Sequence, residues 1–208
     1  MNYVDTVGVG VTGLGRPFVV YATTAPYIGL RHKKMIEVLP YEQEVNGAAP
    51  YKAIRVSHKH GFAVIGNFDR TGTVFKQIKH RRKTPLGVLR SVMESYDTDN
   101  AHPLIGGNVV VSPSTLILGA NKPGWESPKI IMRDRRIPIG YALALSTNSD
   151  FSGRLVNSVK EVGVDGGTST DLIDTFTEYA EPLVVASALW DPTEREWELE
   201  IRNLRLSR

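Results

Sequence analysis

The sequence predicts an α+β chain built from antiparallel sheets. Three observations carry this. Short β-rich runs crowd the first third, two helical runs then follow one another directly, and strands resume as a block instead of alternating singly with helices. In order, strands are expected at Val4–Val11, Arg16–Thr24, Met35–Leu39, Tyr51–His58 and Phe62–Asn67, divided by glycine, proline and asparagine. Helices are expected near Thr73–Arg81 and Pro85–Tyr96. In the second, Leu86, Leu89, Val92, Met93 and Tyr96 recur at helical spacing, and Thr84 before Pro85 marks its start. Strands return at Asn108–Ser112, Thr115–Leu118, Lys129–Met132 and Pro138–Ser146. A third helix near Thr170–Tyr179 carries Leu172, Ile173, Phe176 and Tyr179 on one face, and the alternation of Trp197, Leu199 and Ile201 closes the chain as a strand. The stretch Asn148–Gly167, rich in Gly, Ser, Asn and Asp, reads as a mobile loop.

A length of 208 residues suits one compact domain over 1–208, and neither an internal repeat nor a dividing linker appears. No apolar run approaches the roughly 20 residues that span a bilayer, and the opening Met1-Asn2-Tyr3-Val4-Asp5 lacks a secretory signal, so a cytoplasmic protein is expected. With no cysteine, thiolate catalysis, disulfides and cysteine zinc sites are excluded. The net charge of +3 is too dispersed for a nucleic-acid binder and suits a small phosphorylated ligand.

Four motifs carry possible chemistry. Gly8-x-Gly10-x-x-Gly13 has the spacing of a dinucleotide fingerprint, but Leu14-Gly15-Arg16-Pro17 leads into another strand, so a hairpin turn is the better reading. The basic run from Lys76 to Lys83 falls at a helix C-terminus, where cations complement the helix dipole, and it contains no aromatic platform for bases. In His58-Lys59-His60, alternate strand positions would put two imidazoles on one face, yet no further metal ligand is close in sequence, so no metal is expected. The segments Arg31-His32-Lys33-Lys34, Tyr51-Lys52 with Arg55, and Gly66 to Thr71 offer cations and donors at strand ends, of the kind that hold phosphate and polarise carbonyls.

Taken in order, several segments resemble the archaeal-type IMP cyclohydrolases. Tyr51-Lys52-Ala53-Ile54-Arg55 is similar to the family's Tyr-Asn-x-Ile-Arg strand. Val64-Ile65-Gly66-Asn67, with Thr71-Gly72-Thr73-Val74, resembles its Val-Ser-Asn-Gly and Thr-Asp-Thr-Ile turn into a helix. Tyr96-Asp97 through Pro103-Leu104-Ile105-Gly106, and Tyr179-Ala180-Glu181-Pro182 with the later Trp197, are similar to further stretches. The resemblance implies a four-layer αββα sandwich like that of N-terminal-nucleophile hydrolases without self-processing, and a homotetramer. It implies closure of 5-formamidoimidazole-4-carboxamide ribotide to IMP with loss of water, the last step of purine biosynthesis, with neither metal nor cofactor. Tyr51, Lys52 and Asn67 would be the catalytic group, Tyr51 as the proton-transferring hydroxyl. Arg31, Lys33, Arg70, Thr71 and His102 would contact the nucleotide. The family's Tyr-Arg-x-Ser-Ser-Arg stretch reads here as Tyr21-Ala22-Thr23-Thr24-Ala25-Pro26, so two of its arginines are absent, and Lys52, Gly72 and Leu104 replace Asn, Asp and Arg. The alternative is therefore a relative that binds IMP or AMP without that chemistry.

Overall fold

The computed structural model describes residues 3–41, 49–66, 70–80, 84–95, 106–112, 115–121, 129–133, 138–147 and 159–204. Among them are two antiparallel sheets and three helices. The first sheet joins β1 (Asp5–Val11), β2 (Pro17–Thr23), β10 (Tyr141–Ser146), β11 (Lys160–Gly163), β12 (Val184–Asp191) and β13 (Glu196–Asn203) in the order β11-β10-β1-β2-β12-β13. The second runs in sequence order: β3 (Tyr27–His32), β4 (Met35–Pro40), β5 (Tyr51–Ser57), β6 (Phe62–Gly66), β7 (Gly106–Ser112), β8 (Thr115–Asn121) and β9 (Lys129–Arg133). Helices α1 (Thr71–Lys79) and α2 (Pro85–Glu94) pack on the second sheet, and α3 (Ser169–Ala180) packs on the first.

Side chains alternate across a strand, so each central strand feeds two apolar layers. Val7 and Val9 of β1, Val19 and Tyr21 of β2, and Ala186, Ala188 and Trp190 of β12 meet Ile36, Val38, Tyr51, Ile54, Ile65 and Leu118 between the sheets. The alternate residues Phe18, Val20, Ala144 and Val185 pack under Leu172, Ile173 and Phe176 of α3. On the far side, Phe62, Val64 and Ile117 pack under Val74, Phe75, Leu89 and Met93.

Helix ends follow their sequence signals. Thr84 accepts from the Gly87 amide ahead of Pro85. Thr168 and Asp171 form a reciprocal capping box at α3, and three hydrogen bonds to the Asp171 carboxylate, first that from the Thr168 hydroxyl, hold its pKa below the ordinary value.

The glycine motif is divided as the strand at Val4–Val11 and the following hairpin turn require: Gly8 and Gly10 are inside β1, and Gly13 enters the loop to β2. A Cβ on Gly8 would sit 2.6 Å from Phe176 Cζ, so the glycine admits a helix aromatic against the sheet. Several expectations need correction. His58 is no strand residue. It opens a turn closed by Gly61 N–H to His58 C=O at 3.2 Å, with Gly61 at φ 63°. Part of the expected loop is strand β11, paired with β10, while residues 148–158 lie outside the described set. Two strands without a clean alternating pattern, β3 and β12, were absent from the sequence reading.

The sheets are also tied at one side. Asn203 of β13 accepts from the Gly29 amide at 2.8 Å and donates to the Gly29 carbonyl at 3.3 Å. A Cβ on Gly29 would fall 1.9 Å from Ile201 Cδ1, so any side chain there would have to displace the Ile201 side chain. No described helix is long and apolar enough to cross a membrane.

Gly8→Ala is expected to destabilise the fold by about 1–3 kcal/mol in urea denaturation, as overpacking does, with Phe176→Leu in the same chain restoring part of the loss. An unchanged midpoint for the single variant would show that α3 is not seated on β1.

Candidate active site

At the end of the inter-sheet layer where β1 begins, three polar side chains occupy positions that the alternation assigns to the core. Asp5 and Tyr21 project from neighbouring strands of the first sheet, and Tyr51, the first residue of β5, faces them from the second. The Tyr21 hydroxyl donates to Asp5 Oδ1 at 3.1 Å and is also hydrogen-bonded to the Tyr51 hydroxyl. The rings of Tyr21 and Tyr27 both stand edge-on to Tyr51, at 6.2 and 5.9 Å between centroids. Tyr21 is fully buried, while Asp5 and Tyr51 each keep 8% exposure.

The start of β1 is fixed on both sides. Val4 N–H donates to Thr24 Oγ1 and Asp5 N–H to Thr147 Oγ1, while the Asp5 carbonyl accepts from the Thr147 amide at 2.9 Å. These bonds set the Asp5 side chain at the end of the layer instead of leaving a frayed terminus.

A carboxylate only accepts and each phenol carries one proton, which fixes the direction of the chain when Asp5 is ionised. Tyr21 gives its proton to Asp5, and Tyr51 gives its own to Tyr21. The Tyr51 oxygen then keeps acceptor capacity of its own. Burial, and next the Asp5 charge, push both phenols well above the ordinary tyrosine value; burial also raises Tyr27. Both central phenols are therefore protonated throughout the neutral range.

The residues singled out from the sequence divide into separate places. A bulge opposite Ile36 and Glu37 interrupts the alternation of β5, with Ile36 facing Ile54 and Glu37 facing Lys52. Tyr51 therefore points between the sheets while Lys52 and Arg55 share the outer face. There they flank Gly72 at the start of α1: Arg55 Nη1 and the Lys52 side chain both lie 3.8 Å from where a Gly72 Cβ would be. Arg70 is the N-cap residue of that helix, Thr71 is its buried first residue, and no acid occupies its first turn. Arg55 lies 4.4 Å over the Phe75 ring, and burial lowers its pKa. Lys52, Arg70 and Thr71 are thus gathered, but on the face opposite Tyr51.

Arg31 donates to the Leu199 carbonyl at 3.0 Å, tying β3 to β13. Lys33 is exposed in the β3–β4 turn, beside the far end of β5, where the Lys34 carbonyl accepts from the Val56 amide. Asn67 and His102 lie outside the described residues. Asp5 and Tyr21 escaped the sequence reading, although a carboxylate at the inward register of Asp5-x-Val7-x-Val9 is itself a signal. Neither a model of a known protein family nor a curated protein sequence matches the chain.

The raised tyrosines make a pH prediction. The folded state holds these protons beyond the pH at which an unfolded chain releases them. Their contribution to stability is intact below about pH 10 and is lost as pH rises from there. Tyrosinate absorbance is expected to show Tyr21 and Tyr51 titrating only with cooperative unfolding, and Tyr51→Phe is expected to shrink that late step. All eight tyrosines ionising in the folded chain would contradict the geometry.

Proposed function

We propose that this chain is a purine-nucleotide cyclohydrolase, closing the formamido ribotide to IMP with Tyr51 as the proton-transferring hydroxyl. The observation that carries the reading is the Asp5–Tyr21–Tyr51 hydrogen-bond chain ending at the one hydroxyl that the family resemblance selects. The succession of α3, two sheets, and α1 with α2 fits the αββα sandwich of the N-terminal-nucleophile hydrolase type that the resemblance implies.

Ring closure joins two groups of one molecule, so the protein's work is to hold them in contact and move protons. As the carboxamide nitrogen adds to the formyl carbon, one N–H proton passes to the Tyr51 oxygen. Tyr51 passes its own proton to Tyr21, and Tyr21 passes one to the Asp5 carboxylate. Reversal of the relay returns that proton to the former formyl oxygen, giving the carbinolamine. In the dehydration the hydrogen of the adjacent ring nitrogen takes the same route out to Asp5 and back to the hydroxyl, which leaves as water. No net charge remains on the protein.

A second reading, a relative that binds IMP or AMP without turnover, draws on Ala22 and Pro26 in place of arginines and on Arg31 being held by a backbone carbonyl.

With the formamido ribotide as substrate and the spontaneous rate subtracted, wild type is expected to form IMP. Tyr51→Phe is expected to lower kcat by about 10²-fold or more with KM little changed, the range of a positioned acid–base group. Tyr21→Phe and Asp5→Asn should also slow turnover, because each interrupts the relay. Absence of turnover in wild type, with saturable binding of IMP or AMP, would select the second reading; a fully active Tyr51→Phe would reject the relay.

A further inference from the structure

At the opposite end of β5 from Tyr51 there is an open cavity of about 580 Å³, within the range that small-molecule sites occupy. Two basic motifs far apart in the sequence converge on it. The His58–Gly61 turn contributes His58, Lys59 and His60, and the C-terminus of α1 contributes Lys79. The β12–β13 turn adds Arg195, and Phe62, Ile78, Pro85 and Trp190 form the apolar part of the wall. Among the described residues no acidic side chain lines it.

Two features fix the turns that present His58 and Arg195. The Trp197 amide donates to His58 Nδ1 at 3.0 Å, so that nitrogen carries no proton and the remaining N–H of a neutral imidazole is on Nε2. Arg195 adopts φ 55°, a left-handed conformation that costs a side chain with a Cβ and that glycine takes freely. The Asp191 carboxylate fixes the turn by accepting from the Thr193 and Glu194 amides, so an arginine is kept where turn geometry alone favours glycine.

We infer that this cavity binds an organic phosphate, its anionic group among Lys59, Lys79, Arg195 and His60 and its ring against Trp190 and Phe62. The lysines and the arginine supply permanent charge, while the apolar wall distinguishes an organic phosphate from a bare anion. This site is independent of the chemistry proposed at Tyr51, and its probe is chosen accordingly.

Uridine 5′-diphosphate, a pyrimidine, avoids reporting on a purine site. In calorimetric titration it is expected to bind saturably to wild type and equally to Tyr51→Phe. Inorganic pyrophosphate is expected to bind at least tenfold more weakly. Lys79→Glu should weaken the diphosphate at least tenfold. Arg195→Gly separates the roles: relief of the left-handed backbone leaves the melting temperature equal or higher, while affinity falls tenfold or more. Absence of saturable binding, equal affinity for pyrophosphate, or affinity unchanged in both charge variants would each overturn the inference.

Discussion

A strand covered on both faces has nowhere to put a polar side chain except against another polar side chain. That constraint governs β1, β2 and, apart from the buried and unpartnered Ser187 hydroxyl, β12, which lie between the second sheet on one side and α3 on the other. Leaving a buried hydroxyl or carboxylate unmatched costs a few kcal/mol, a large share of a domain's net stability. The sequence meets the constraint along most of each strand with Val, Ala, Phe and Leu, and breaks it in the first turn of pleat. Asp5 and Tyr21 are tolerated there because they bond to each other and to Tyr51 across the layer. The same matching that makes the chain stable also orients its protons.

The second sheet meets this arrangement through an irregularity. With strict alternation, Lys52 and Arg55 would leave opposite faces of β5, and either Tyr51 or Val56 would leave the inter-sheet core. The extra residue at Ala53 lets Tyr51 and Val56 both point inward, with both cations outward beside α1. One bulge thus divides the polar content of a single strand between a buried proton chain and an electropositive surface at a helix N-terminus, which is itself favourable to anions.

Much of the fold was legible because period and punctuation agreed. The helices at Thr71, Pro85 and Ser169 carry their apolar faces at helical spacing, and the strands with clean alternation lie where that alternation puts them. What stayed hidden has specific causes. β12 is apolar on both faces and β3 is short and half exposed, so neither shows period 2. Gly8 fell within the expected strand, but why a glycine stands there shows only in the position of Phe176 against it. At the site, Tyr51 was visible as one residue of a resembling motif, but its partners come from the other sheet. Pairing across layers leaves no trace in local sequence.

The Asn203 clasp on Gly29 reaches beyond the interior. A free sheet edge offers a row of backbone donors and acceptors on which another chain can polymerise. Here the outer amide and carbonyl of Gly29 are already occupied by a side chain, and Arg31 occupies the Leu199 carbonyl of the facing edge. On the opposite border of the first sheet, β11 is only four residues long and exposes Lys160 and Glu161. These three borders thus carry their own protection against strand-by-strand aggregation, written into an asparagine, a glycine and a few charges.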